Sequence, residues 1–147
     1  MILRPHTADD VSAILDVWYR ASLIAHPFLS EEFLASERRE IEAEWLPIAE
    51  TTVCEIDGRV VGFLSLVGDE VGAIFVDPRH QRRGAGRALM DHARTVRNEL
   101  EVAVFEENAI GRSFYDGYGF EFVERRTNEE TGHPELRLRL GTVGERL

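Results

Sequence analysis

Gln81-Arg82-Arg83-Gly84-Ala85-Gly86-Arg87 stands between an apolar run, Val71-Gly72-Ala73-Ile74-Phe75-Val76, and a helical stripe of Ala85, Leu89, Ala93 and Val96. The run reads as a buried central strand, which Asp77-Pro78 stops. Small residues at 84, 85 and 86 let a ligand approach the backbone closely. The first turn of the following helix adds unpaired N–H groups at the positive end of its dipole. Strand, loop and helix together suit a phosphate or pyrophosphate. A Rossmann dinucleotide site fits poorly, because the third glycine position is Leu89 and no βαβ unit opens the chain. A plain turn with a solvated arginine face remains the alternative for the loop taken by itself.

Outward from the loop, the period of the apolar residues changes several times. Ile2-Leu3-Arg4-Pro5 is a short strand at best. Thr7 with Asp10 opens a helix in capping-box spacing, followed by Val11, Ile14, Leu15 and Trp18 on one face. Pro27 breaks the chain. Ser30 caps a second helix with Leu34, Ile41, Trp45 and Ile48 on one side, which Pro47 ends or kinks. Thr51 to Ile56 and Val60 to Leu66 flank Asp57-Gly58 as a hairpin. Leu100 to Phe105 is a strand, Asn108 caps a helix carrying Ile110, Phe114 and Tyr118, and Gly117 and Gly119 end it. Phe120 to Val123 and Leu136 to Leu140 close the chain as strands.

The resulting order is β-α-α-β-β-β-α-β-α-β-β. A hairpin in the first half and strand–helix–strand alternation in the second require a mixed, mostly antiparallel sheet flanked by helices in one α/β domain spanning 1–147.

Charge narrows the function. The 147 residues carry 17 basic and 27 acidic side chains, a net −10, and every basic residue is arginine. With no lysine, Schiff-base chemistry and a P-loop are excluded. The acidic balance argues against nucleic acid as a partner. Yet residues 77–98 hold six arginines against two aspartates, a local +4, leaving −14 elsewhere. Such an island focuses one anion. A single cysteine, Cys54, excludes an internal disulfide, and five scattered histidines give no metal cluster, so no metal is expected. No stretch approaches 18 apolar residues, and the first residues lack a signal-peptide run, so a cytoplasmic location without membrane contact is the expectation.

Gln81 to Gly86 matches the Q/R-x-x-G-x-G/A loop, and the chain thereby resembles the GNAT superfamily of acyl-CoA N-acyltransferases. Asn108-Ala109, Phe114-Tyr115 and Gly119-Phe120 resemble that family's second signature, with the small residue displaced to 109. The order of elements is similar over the whole chain. The resemblance implies acetyl-CoA as cosubstrate, with the acetyl group moved to a primary amine by direct attack in a ternary complex. It implies pantetheine between splayed strands, with Phe75 and Val76 offering backbone groups and a strand bulge supplying an oxyanion donor. It places the pyrophosphate on amides from Arg83 to Arg87, within a cofactor loop of Gln81, Arg82, Arg83, Gly84, Ala85, Gly86 and Arg87. Asn108 is implied at the cofactor arm, as well as being a helix cap.

Tyr115 matches the family's general acid, the alternative being a core aromatic. Glu70 lies where some members carry a base; others use a water chain, and a polar turn is the plainer reading. His26, between the first two helices, is implied in the acceptor pocket, although a lone loop histidine more often makes a local hydrogen bond. The run Glu31 to Glu55, with eight Glu and two Arg, reads as a solvated face before it reads as an amine attractant. A small-molecule or peptide amine is the expected acceptor, and a homodimer is common in such a family. The competing expectation is a noncatalytic CoA- or nucleotide-binding regulatory domain on the same scaffold.

Overall fold

Turn chemistry and apolar period place the strands and α-helices of the described residues. The computed structural model describes residues 1–141. In order they form β1 (Ile2–Pro5), α1 (Val11–Ala25), α2 (Glu31–Glu40), β2 (Glu50–Ile56), β3 (Arg59–Val67), β4 (Glu70–Val76), α3 (Ala85–Val96), β5 (Leu100–Phe105), α4 (Ala109–Tyr118), β6 (Glu121–Thr127) and β7 (Pro134–Leu140). The seven strands make one sheet in the order β1-β2-β3-β4-β5-β7-β6, antiparallel except for β4 beside β5. That is the expected order and fold class.

Local chemistry explains the joints. Asp57 and Gly58 both take positive φ, 51° and 76°, as a two-residue hairpin of the I′ kind requires. The Asp10 carboxylate accepts from the Thr7 N–H at 2.7 Å, and a single 3-10 turn, Ala8–Asp10, leads into α1. The Ser30 side chain accepts from Phe33 N–H at the start of α2.

Two apolar layers sandwich the sheet. Ile14, Val17, Trp18, Leu34, Leu46, Val53 and Phe63 form the layer under α1 and α2. Cys54, Leu64, Leu66, Leu89, Met90, Leu100 and Tyr115 belong to the layer under α3 and α4. Val53 and Cys54 thus face opposite layers, as alternation along a strand demands. Val61, extra in its register against Cys54 and Glu55, shifts the alternation of β3 by one residue.

The apolar side expected for the second helix is corrected at two positions. Trp45 is 48% and Ile48 65% exposed, whereas Leu46 is buried. After Glu40 the chain makes one π turn, Ile41–Trp45, closed by Leu46 N–H on the Ile41 carbonyl at 2.9 Å. The extra residue rotates the following side chains, bringing Leu46 to the core instead. Val96 is likewise half-exposed, at the last turn of α3.

Candidate active site

The parallel neighbours β4 and β5 pair only at Glu70 with Glu101 and Val71 with Val102. Beyond those residues the two strands diverge, and a cleft of about 940 Å³ opens between them. Strand β4 also carries a bulge: Ser65 faces Ala73 and Leu66 faces Val71, leaving Gly72 without a partner on β3. A bulged residue drops out of the ladder and frees a backbone amide, where the sequence reading places an oxyanion donor. Phe75 and Val76 line the cleft just beyond it.

The glycine loop closes one end. Arg82 (φ 66°) and Gly84 (φ 85°) are both left-handed and flank Arg83, so the backbone folds into a concave turn of the kind that gathers N–H groups around an anion. Gly84 is the N-cap residue of α3, whose first amides follow directly. A Cβ on Gly86 would come to 3.3 Å from Phe114 of α4, so a glycine allows α3 and α4 to approach here. Arg82, Gly84, Ala85, Gly86 and Arg87 all line the cleft, whereas Arg83 does not. Gln81 lines it too and donates to the Val76 carbonyl at 3.3 Å, tying the loop to the strand end.

Not all six arginines of the island serve an anion. Arg79 and Arg20 both bind Asp77, at 2.9 and 2.8 Å. Their hydrogen bonds, those of Arg79 first, hold this buried carboxyl well below the usual range. Asp77 thereby fixes the chain between β4 and the loop and links it to α1. Arg97 reaches Glu50 at 3.0 Å. Arg87 and Arg94 lie over the Tyr118 ring at 5.4 and 5.9 Å.

Tyr115 lies in the cleft wall and is buried, its ring edge-on to Phe114 and Phe120 at 5.5 and 5.3 Å. Gly119 (φ 115°) ends α4 so that the Gly119 and Phe120 N–H groups both return to the Tyr115 carbonyl. Among the described residues its hydroxyl has no hydrogen-bond partner. Burial pushes its pKa up, so the phenol keeps its proton at neutral pH.

Asn108 and His26 form a strut across the cleft. The Asn108 Oδ1 accepts from Gly111 N–H at 2.8 Å as the cap of α4, which turns its Nδ2 toward His26 Nε2 at 3.2 Å. Because Nδ2 only donates, that histidine nitrogen accepts, and the ring is neutral with its proton on Nδ1. Gly111 is part of this device: a Cβ there would meet the Asn108 amide at 2.5 Å. Phe75 and Phe105, from the splayed strands, pack edge-on to the imidazole at 6.4 and 5.3 Å. Burial pushes the His26 pKa down to about 4.

A folded-state pKa below the ordinary 6.5 means that the unfolded chain takes up the proton first. The stability that neutral His26 contributes is therefore complete above about pH 6.5 and falls away toward pH 4, by up to about 3 kcal/mol. Glu37, raised to about 7 by burial, acts in the opposite sense over nearly the same window. The test is accordingly a difference. Urea unfolding should show the stability gap between wild type and His26→Gln shrinking by a few kcal/mol from pH 7.5 to 4.5. A constant gap would refute the buried neutral histidine.

Glu70, at the first position of β4, lines the cleft but pairs with Arg137 of β7 at 3.3 Å. Arg137 also holds Glu101 at 3.2 Å. No local signal in the sequence marks this arginine, which comes from a strand 67 residues away. The larger omission is on α2. Phe33, Glu37, Glu40 and Ile41 line the cleft at helical spacing, so part of the acidic run turns inward.

The sequence model of the acetyltransferase (GNAT) domain matches residues 47–122. The peptidyl-lysine N-acetyltransferase YiaC of Escherichia coli is 30% identical over 134 residues, covering 90% of this chain and 92% of that protein. Peptidyl-lysine N-acetyltransferase YjaB of Escherichia coli is 31% identical, with 97% of each chain covered. The solution structure of its apo form superposes with a TM-score of 0.85 over 97% of this chain and all of that one. Salmonella typhimurium YncA, solved with acetyl-CoA, shares the fold at a TM-score of 0.65 and 20% identity, covering 95% of this chain and 92% of that one.

Proposed function

Because the chain belongs to the GNAT acetyltransferase family and is an N-acetyltransferase, we propose that it moves the acetyl group of acetyl-CoA directly to the side-chain amine of a peptidyl lysine. The observation that carries this reading is the splayed β4–β5 cleft, closed at one end by the left-handed Arg82–Gly84 turn and lined by an unpartnered Tyr115.

The residues present fit acetyl-CoA as cosubstrate. Amides from Arg83 to Arg87 receive its pyrophosphate at the start of α3, with Arg82 and Arg87 as counter-charges. The pantetheine lies between the diverging strands beside Phe75 and Val76, and the Asn108–His26 strut walls the arm. The backbone freed at the Gly72 bulge polarises the thioester carbonyl. Tyr115, kept protonated by burial, gives its proton to the departing thiolate. No acyl-enzyme is needed, since the buried Cys54 lies in a core layer rather than in the cleft wall. The lysine acceptor is supported by the names of the relatives and by the glutamates, Glu37, Glu40 and Glu130, that line the cleft.

Thiol release from acetyl-CoA tests the proposal, with an N-terminally blocked lysine peptide as acceptor. Acetylation of the lysine, seen as a 42 Da gain (one acetyl replacing one hydrogen), is expected. Acetyl-CoA that raises Tm without any thiol release from an amine panel would favour the regulatory-domain reading.

A further inference from the structure

Charges of both signs line the cleft. Arg82 and Arg87 are the only arginines lining it among the described residues, and both sit at the glycine loop. Glu37 and Glu40 of α2 and Glu130 in the connection between β6 and β7 line it too, with Glu40 and Glu130 close enough to Glu37 to act on its charge. Asn128 shapes that connection, its Oδ1 accepting from Glu130 and Thr131 N–H at 3.1 and 3.0 Å. Glu70 and Glu135 also line the cleft, but Arg137 and Arg126 neutralise them. Glu37 has no such cation. In a chain with 17 arginines, its carboxylate sits half-buried on the inner face of an amphipathic helix without a hydrogen bond or ion pair among the described residues.

An inner helix face normally carries apolar residues, and an unpaired carboxylate there costs stability. The second observation is independent. Tyr115 is buried as a residue, lines the same cleft, and its hydroxyl is also unpartnered among the described residues. Two unsatisfied polar groups of complementary chemistry, a hydrogen-bond acceptor and a donor, share one cavity. Both are explained by a ligand that brings a cation to one and a leaving group to the other.

We infer that Glu37 is the acceptor-binding residue: it receives the ammonium group of the incoming primary amine and takes its proton. This rests on the acetyl-transfer reading above and deepens it. The acceptor enters as R–NH3⁺, and one proton passes to the Glu37 carboxylate, directly or through a water, leaving neutral R–NH2. The nitrogen lone pair attacks the thioester carbonyl carbon. The C–N bond forms, the C–S bond breaks, and the sulfur leaves with the Tyr115 proton. The acylated nitrogen returns a proton to Tyr115, and Glu37 releases its own to solvent. The net products are the amide, CoA thiol and one proton.

The groups facing Glu37 favour this traffic. Glu40 on the same helix and Glu130 of the β6–β7 connection add negative charge, and burial adds most, raising the carboxyl to about 7. His26, in the same cleft, is held neutral by Asn108 and adds no cation. On α1, Asp16 is occupied by Arg38 at 3.8 Å, and Tyr19 by Glu31. A carboxyl poised near neutrality suits proton transfer at physiological pH.

The experiment compares wild type, Glu37→Gln and Glu37→Ala on the blocked lysine peptide. Glu37→Gln should lower kcat/KM for the peptide about 10²-fold, leave the KM for acetyl-CoA within about 2-fold of wild type, and abolish the rising limb of the pH profile near 7. Added formate should restore part of the activity of Glu37→Ala. An acetyl-CoA thermal shift checks that both variants are folded. Wild-type kcat/KM with an unchanged pH limb in Glu37→Gln overturns the Glu37 assignment alone. No lysine acetylation by the wild-type protein overturns both it and the acetyl-transfer reading.

Discussion

Tyr115→Phe should lower kcat about 10²-fold while leaving acetyl-CoA binding and the folded structure intact. The expected size follows from what the hydroxyl does and does not touch. Its ring packs against Phe114 and Phe120, contacts that phenylalanine keeps. Its oxygen has no partner among the described residues, so removing it breaks no hydrogen bond. Deleting a hydroxyl without a protein partner changes stability by no more than about 1 kcal/mol. A tyrosine that serves only core packing would therefore leave rate and Tm both essentially unchanged. A general acid loses the rate alone. Because burial raises the phenol's pKa above its ordinary value, the wild-type enzyme should show no falling limb from Tyr115 at or below pH 10. Steady-state thiol release with calorimetric acetyl-CoA titration separates these outcomes. Unchanged kcat in Tyr115→Phe would remove it from the chemistry.

The order of elements was legible because each boundary carries its own local device. Asp57-Gly58 can make an I′ turn, Ser30 and Asn108 carry capping oxygens, and Gly119 takes a left-handed φ that other residues resist. Such signals act within a few residues, so a linear reading finds them. The glycine loop was legible for the same reason. What escaped the sequence depends on contacts between distant segments. Arg137 neutralises Glu70 from a strand far along the chain, and Arg20 reaches Asp77 from α1. His26 meets Asn108 only because β4 and β5 splay and bring α1 to the cap of α4.

In sequence, the acidic run from Glu31 to Glu55 reads first as one solvated face. Its charges divide instead, Glu31 and Glu32 outward and Glu37 and Glu40 into the cleft. Composition gives the sum of such a run, whereas helical phase decides which members meet a substrate. The π turn at Ile41–Trp45 shows the limit of phase itself: one additional residue exchanges Trp45 for Leu46 in the core.

The charge of the loop gives the other large effect. Gly84→Glu should reduce acetyl-CoA affinity about 10⁴-fold, and Gly84→Gln separates the reasons. A Cβ at Gly84 meets nothing within 4 Å, so a side chain does not collide with the protein. The residue is left-handed, however, at φ 85°, and any L side chain pays for that backbone with roughly 1–2 kcal/mol of stability. Gln and Glu share this strain and nearly the same volume, and both crowd the ligand. Only Glu sets a carboxylate where the concave turn and the first amides of α3 await a diphosphate. Two like charges about 4 Å apart repel by about 4 kcal/mol at an effective dielectric of ~20, which is about three decades in Kd. Gly84→Gln should thus lower Tm by a few degrees and weaken binding about 10-fold. Gly84→Glu should show the same Tm and no acetyl-CoA shift at concentrations that saturate the wild type. Equal affinities for the two variants would mean that the pyrophosphate lies elsewhere. The local +4 around residues 77–98 would then belong to the surface, as Arg79 and Arg97 already do through their carboxylate partners.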